Sequence, residues 1–188
     1  MKNKITYFFW VSKGKPNPPH HIIKQKKILR LQKRQGNNVF VETGTYFGDM
    51  VFAVKDTFKQ IYTVELSKDL YDLAVERFKK DTHINLLNGD SGEVLKDLVK
   101  KIEEPAIFWL DGHYSGGETA KGNVDTPIVE ELKHIFSSEL KHTILIDDAR
   151  CFGKNDGYPT IEELEKIVLE SRQGAKIKVE SDIIEITY

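Results

Sequence analysis

Residues 39–48, VFVETGTYFG, constrain this chain more than any other stretch. An apolar run, Val39, Phe40 and Val41, ends in an acid, Glu42. A turn with Gly44 and Gly48 follows, and a helix pattern starts at Asp49. A buried strand, a glycine-bearing turn and a helix N-terminus together make a nucleotide-type site. Glycine lets the backbone approach a ligand and takes dihedrals closed to other residues. The spacing is E-x-G-x-x-x-G and differs from the G-x-G-x-x-G of dinucleotide sites.

The alternation continues downstream. Strands are expected over 39–42, 61–66, 84–87, 106–110 and 143–146, each followed by a helix pattern. The helix over 49–58 places Met50, Val51, Val54 and Phe58 on one face. Ser67 N-caps the next helix, whose inner stripe is Leu70, Leu73, Ala74 and Phe78. A helix over 92–101 turns Val94, Leu95, Leu98, Val99 and Ile102 inward. Residues 106–110 are apolar at every position, as a strand covered on both faces requires. Pro127 suits the first position of a helix that buries Ile128, Leu132, Ile135 and Phe136. Thr160 and Glu163 form a capping box. Two alternating segments, 176–180 and 183–187, joined at Ser181 and Asp182, make a terminal hairpin. The sum is an α/β chain: a Rossmann-like, doubly wound, mostly parallel seven-stranded sheet with a C-terminal antiparallel hairpin.

A length of 188 residues suits one domain over 39–188 behind an N-terminal extension, 1–38. The formal net charge of −1 argues against gripping nucleic acid by bulk charge. One cysteine, Cys151, excludes an intrachain disulfide and fits a reducing cytoplasm. No apolar run is long enough to span a bilayer, and no leader peptide is evident. In the extension, residues 7–11 read as a short strand or hydrophobic plug. Gly14, Pro16, Pro18 and Pro19 break regular structure, and a basic helix is expected over 20–35. Its Lys24, Lys26, Lys27, Arg30, Lys33 and Arg34 read as a solvated edge, with a surface for an anionic partner as the alternative.

Ligands in such sheets bind at the carboxyl ends of the strands. There the chain places Glu42-Thr43-Gly44-Thr45, then Glu65-Leu66, Asn88-Gly89-Asp90-Ser91, Asp111-Gly112-His113-Tyr114, and Asp147-Asp148-Ala149-Arg150. An acid at Glu65 can accept both ribose hydroxyls of a nucleoside, Asp90 can accept from an adenine amino group, and Ser91 can cap a helix. Each acid alone can be a helix cap or a solvated strand end. Acids on all five strand ends repel one another unless a ligand or metal offsets them.

The ordered set resembles the class I S-adenosylmethionine-dependent methyltransferases over 39–188: VETGTYFG their first motif, TVELS the acidic second-strand motif, NGDS the adenine motif. The resemblance implies that Glu42, Thr43, Gly44, Thr45 and Gly48 lie at the methionine end of S-adenosylmethionine. It places Glu65 and Leu66 at the ribose, and Asp90 and Ser91 at the adenine. WLDGHYSGG and LIDDAR resemble the macrocin O-methyltransferase type and, more loosely, the catechol type. That implies Mg²⁺ held by Asp111, Asp147 and Asp148, with the acceptor a small hydroxylated molecule, a sugar or natural product. Three carboxylates suit an octahedral oxygen site for Mg²⁺. His113 is the candidate base and Arg150 a candidate clamp for a carboxylate or phosphate. The glycines over 115–123 suit a lid. The acceptor pocket is expected to be open or completed by a second copy in a homodimer. Two other readings stand beside this one: a nucleic-acid methyltransferase using the basic helix, and a non-catalytic cofactor-binding protein. Asp-Gly-His-Tyr differs from the Asn/Asp-Pro-Pro-Tyr of base amino-group methyltransferases, which disfavours the first.

Overall fold

The computed structural model describes residues 2–16, 18–112, 126–154 and 157–188. Two helices, α1 (Lys2–Ser12) and α2 (His21–Gln35), precede the first strand. Then follow β1 (Val39–Thr43), α3 (Asp49–Val54), β2 (Gln60–Glu65), α4 (Lys68–Phe78), β3 (Ile84–Asn88) and α5 (Ser91–Leu98). The second half holds β4 (Ala106–Leu110), α6 (Ile128–Phe136), β5 (Thr143–Ile146), α7 (Ile161–Ser171) and the hairpin β6 (Lys176–Glu180) and β7 (Ile183–Thr187). All seven strands lie within one residue of where the apolar patterning puts them.

The strands form one seven-stranded sheet in the order β3-β2-β1-β4-β5-β7-β6. The first five are mutually parallel, and the hairpin joins β5 antiparallel. Ser181 and Asp182 both take positive φ, 55° and 62°, the requirement of a tight hairpin turn. The strand order reverses between β1 and β4, so a crevice opens at their carboxyl ends.

Period-two alternation divides the core. Val39, Val41, Phe108, Leu110, Ile144 and Ile146 face α5, α6 and α7. Phe40, Ile107, Trp109 and Leu145 face α2, α3 and α4. Both faces of β4 are covered, and all five of its residues are buried.

Several local expectations are corrected. Residues 7–11 are helical, inside α1. Tyr7 and Trp10, one turn apart, stack with centroids 5.9 Å apart, and Tyr7 also packs on His20. A helix satisfies its own backbone, whereas a strand there needs a sheet edge. The helix over 49–58 ends at Val54, although Phe58 beyond it is still buried. Leu73 is exposed; the α4 stripe is Leu70, Ala74 and Phe78 at four-residue spacing. Pro127 is the N-cap of α6, one residue before the position expected. The Ser67 cap and the Thr160–Glu163 capping box form as the sequence suggests. Among the described residues no helix is long and apolar enough to cross a membrane.

The candidate active site

The β1 turn is built from three residues with positive φ, Gly44 (84°), Tyr46 (49°) and Gly48 (75°). The glycines serve the chain's own packing. A Cβ on Gly44 would stand 2.4 Å from the Asp111 carbonyl oxygen, and one on Gly48 2.6 Å from the Phe78 ring. The first contact welds the β1 turn to the end of β4; the second seats α4 beneath the turn.

Glu42 is buried between β2 and β4, opposite Thr63 and Trp109. Its carboxyl accepts a hydrogen bond from the Thr63 hydroxyl at 2.7 Å, and Thr63 and Thr45 hydroxyls lie 2.6 Å apart. Burial holds the Glu42 carboxyl well above the usual carboxylate range, and Asp111 and Glu65 push the same way; the Thr63 bond only partly opposes them. Glu65 is fixed by backbone N–H donors: Tyr46 donates to one oxygen at 2.7 Å and Ser67 to the other at 2.9 Å. Each oxygen keeps a second lone pair for a ligand. The Thr43 hydroxyl is buried with no hydrogen-bond partner among the described residues. A Cβ on Gly112 would stand 3.1 Å from that hydroxyl and from Ser91 Oγ, so the β1, β4 and α5 ends converge there.

At the β3 end the cap is Asp90, and Ser91, the residue expected to cap, opens the helix. Asp90 Oδ1 accepts from the Gly92 N–H at 2.9 Å. Leu66 follows Glu65, and its carbonyl accepts from the Asn88 side chain at 3.3 Å.

The β4 and β5 ends are arranged differently. Asp147 is buried; Oδ1 accepts from the Asp148 N–H at 2.7 Å and Oδ2 is paired with the Lys24 ammonium. Asp148 adopts left-handed geometry, φ 58° and ψ 44°, which an aspartate tolerates better than most residues. Its Oδ1 lies 3.5 Å from Lys24 and 2.6 Å from the Arg150 guanidinium, which also pairs with buried Asp182 in the hairpin turn. Arg150, read as a substrate clamp, is thus folded back onto the chain's own acids, and these pairs outweigh desolvation to raise its pKa. Lys24 keeps its proton: burial lowers its pKa, but Asp147, Asp111 and Asp148 together raise it further. A small cleft opens beside Asp147, with Leu110, Gly112, Ile128, Glu131 and Tyr158 also in its walls.

Among the described residues no group of three or more His, Cys, Asp or Glu side chains could hold a metal ion. Asp147 and Asp148 already face two cations of the chain, and their arrangement does not fit the divalent cation the motifs imply. His113, Tyr114 and the glycines over 115–123 lie outside the described residues.

The basic helix is likewise redistributed. Lys27 pairs with Glu185 at 2.8 Å, and the exposed positions are Lys26, Arg30, Lys33 and Arg34. The reading of a solvated helix packed on the domain edge did not single out Lys24, though a signal existed: Lys24, Ile28 and Leu31 share one helical face, and the latter two are core residues.

No protein-family model matches the chain, and no curated protein matches it by sequence. Solved structures do match. An S-adenosylhomocysteine-bound methyltransferase from Podospora anserina, PaMTH1, superposes with TM-score 0.63 and 17% identity, over 100% of this chain and 88% of that one. An O-methyltransferase from Bacillus cereus, also with S-adenosylhomocysteine, gives 0.64 and 13% over 98% and 89%. The O-methyltransferase TomG from Streptomyces achromogenes, involved in tomaymycin synthesis and bound to S-adenosylmethionine, gives 0.64 and 12% over 98% and 87%. The chain has the class I methyltransferase fold. In this methyltransferase fold the carboxyl ends of β1, β2 and β5 carry the buried acids described above.

Proposed function

We propose that this chain is an S-adenosylmethionine-dependent O-methyltransferase acting on a small hydroxylated acceptor. The observation that carries the reading is that Glu42 and Glu65, buried at the switch point of a methyltransferase fold, are met by a hydroxyl and backbone N–H groups and by no cation among the described residues. S-adenosylmethionine brings a sulfonium and an ammonium, cations that two buried acids without an ion-pair partner among the described residues would attract. The buried, unpaired Thr43 hydroxyl is a further feature that a ligand would satisfy.

When bound, the cofactor supplies an activated methyl group for in-line transfer to the acceptor oxygen. The chain's own residues position and exclude. Glu42, oriented by Thr63, would hold the methionine ammonium beside Thr43, Gly44, Thr45 and Gly48. Glu65, fixed by two backbone N–H groups, would take the ribose hydroxyls next to Leu66. Asp90 and Ser91 would border the adenine. Asp111 would stand between cofactor and acceptor. Our sequence candidate for the base that takes the acceptor proton is His113, and a His113→Gln variant should lose the acid limb of the rate profile while keeping cofactor affinity. No step is routed through Mg²⁺, because Asp147 and Asp148 already face Lys24 and Arg150.

Calorimetry with S-adenosylhomocysteine and S-adenosylmethionine tests the reading. Stoichiometric binding that weakens at least ~10-fold in Glu42→Gln is the expected result, the loss of one buried charged contact. Failure of both ligands to bind the wild-type protein would refute it. That two of the structurally similar proteins are O-methyltransferases, one involved in tomaymycin synthesis, supports the acceptor class; incorporation of labelled methyl into hydroxylated sugars and phenols, against RNA and DNA, checks it.

A further inference from the structure

The helix before the sheet carries a lysine to the place where the strand-end motifs would put a metal. α2 runs antiparallel to β5: Gln35 near its end bonds the Thr143 side chain at the start of β5, while Lys24 near its beginning reaches Asp147 just beyond the end of β5. Ile28 and Leu31 bury the same helical face in the core. Docking α2 therefore drives the Lys24 ammonium into the acid pair. Its side chain is 15% exposed and that of Asp147 2%, so this pair is held by packing and differs from a surface contact. Arg150 closes the other side of Asp148 and is anchored in turn by Asp182.

We infer that Lys24 is the resident cation of the acceptor side of the site, occupying the acid pair Asp147–Asp148 in place of a divalent metal. A divalent ion bound there would have to displace the Lys24 side chain from both acids. The fixed ammonium instead supplies positive charge next to the cleft bordered by Asp147, where an acceptor hydroxyl gains negative charge as its proton leaves, before that charge is spent in attack on the methyl group. The placement of that acceptor rests on the methyltransferase reading; the exclusion of metal does not.

The test is a titration of the full chain with MnCl₂, in the presence of S-adenosylhomocysteine, followed by calorimetry and by loss of the free Mn²⁺ resonance signal. Wild type is expected to show no stoichiometric ion. Lys24→Met, which keeps an unbranched chain but no charge, should gain one Mn²⁺ per chain with affinity at least ~10-fold above wild type, because two buried acids lose a partner. Asp147→Asn in that background should remove it. Lys24→Arg, which keeps the cation, should still exclude the ion. The inference is overturned if wild type binds one Mn²⁺ that Asp147→Asn abolishes, or if folded Lys24→Met gains none. Should Lys24→Met fail to fold, the wild-type and Lys24→Arg titrations decide alone: a bound ion overturns it, exclusion upholds it. Absence of S-adenosylhomocysteine binding would refute the cofactor reading and leave the metal result standing.

Discussion

The β1–β2 edge and the β4–β5 edge of the sheet each bury two acids, and they hold them in different ways. Glu42 and Glu65 are met by a hydroxyl and two backbone N–H groups, which orient a carboxylate without cancelling its charge. Asp147 and Asp148 are met by Lys24 and Arg150. Among the described residues the acids of the first have no cation partner, and on this the proposed cofactor site rests. The second is met by the chain's own cations, with Arg150 shared between Asp148 and Asp182. Acids at strand ends are therefore not one kind of signal; what matters is whether the compensating group is a dipole or an ion.

The largest expected effect comes from breaking the seam between the two edges. Gly44→Ala places a Cβ 2.4 Å from the Asp111 backbone oxygen at φ 84°. A loss of more than ~3 kcal/mol in urea unfolding is expected, combining steric overlap with left-handed strain. A near-neutral result would mean the two edges move independently.

Next is Lys24→Ala, which leaves Asp147 buried without its ion partner and should cost ~3 kcal/mol. If the second edge is balanced by charge, Lys24→Ala combined with Asp147→Asn should recover part of that loss in a double-mutant cycle.

The pH dependence of stability separates the first edge from the background. His142, buried below the start of β4, accepts from the Ala106 N–H at 3.1 Å, and burial, with Arg172 adding, lowers its pKa to about 4. The unfolded chain binds this proton more readily, so the contribution is intact above pH ~6.5 and falls by ~2–3 kcal/mol as pH drops toward 4. His142→Asn should flatten that slope in denaturant titrations. Glu42 has the opposite sign. Its folded pKa is raised, so the folded state holds the proton longer, and its burden grows as pH rises from the usual carboxylate range through the raised value.

Glu42→Gln should therefore make the ligand-free protein more stable at pH 8 by ~1 kcal/mol, an acid removed from a site that disfavours its charge. The same substitution should weaken S-adenosylhomocysteine. Gain of stability without loss of affinity would show that Glu42 does not meet the ligand.

Much of the fold was legible because buried strands leave a coarse mark. Residues 106–110 are apolar throughout, and a strand with both faces covered is what such a run requires. The Thr160–Glu163 box and the Ser67 cap were readable because capping is local chemistry. Residues 7–11 misled because aromatic, β-prone residues fold to whichever backbone has partners, and none is visible in the segment itself. Asp90 and Ser91 were both plausible caps; a difference of one residue in helix start chose between them.

What the sequence determined alone is the order of strands and helices, the acids at the strand ends and the glycines that join them, since apolar period and turn chemistry act between near neighbours. What tertiary structure decided is the electrostatic state of those acids. Lys24 meets Asp147 only because Ile28 and Leu31 dock α2 along β5, and Arg150 meets Asp182 only because the hairpin folds back beside β5. Charge compensation acts through space over a few ångströms, and the chain brings those partners together from distant positions only after its core has packed.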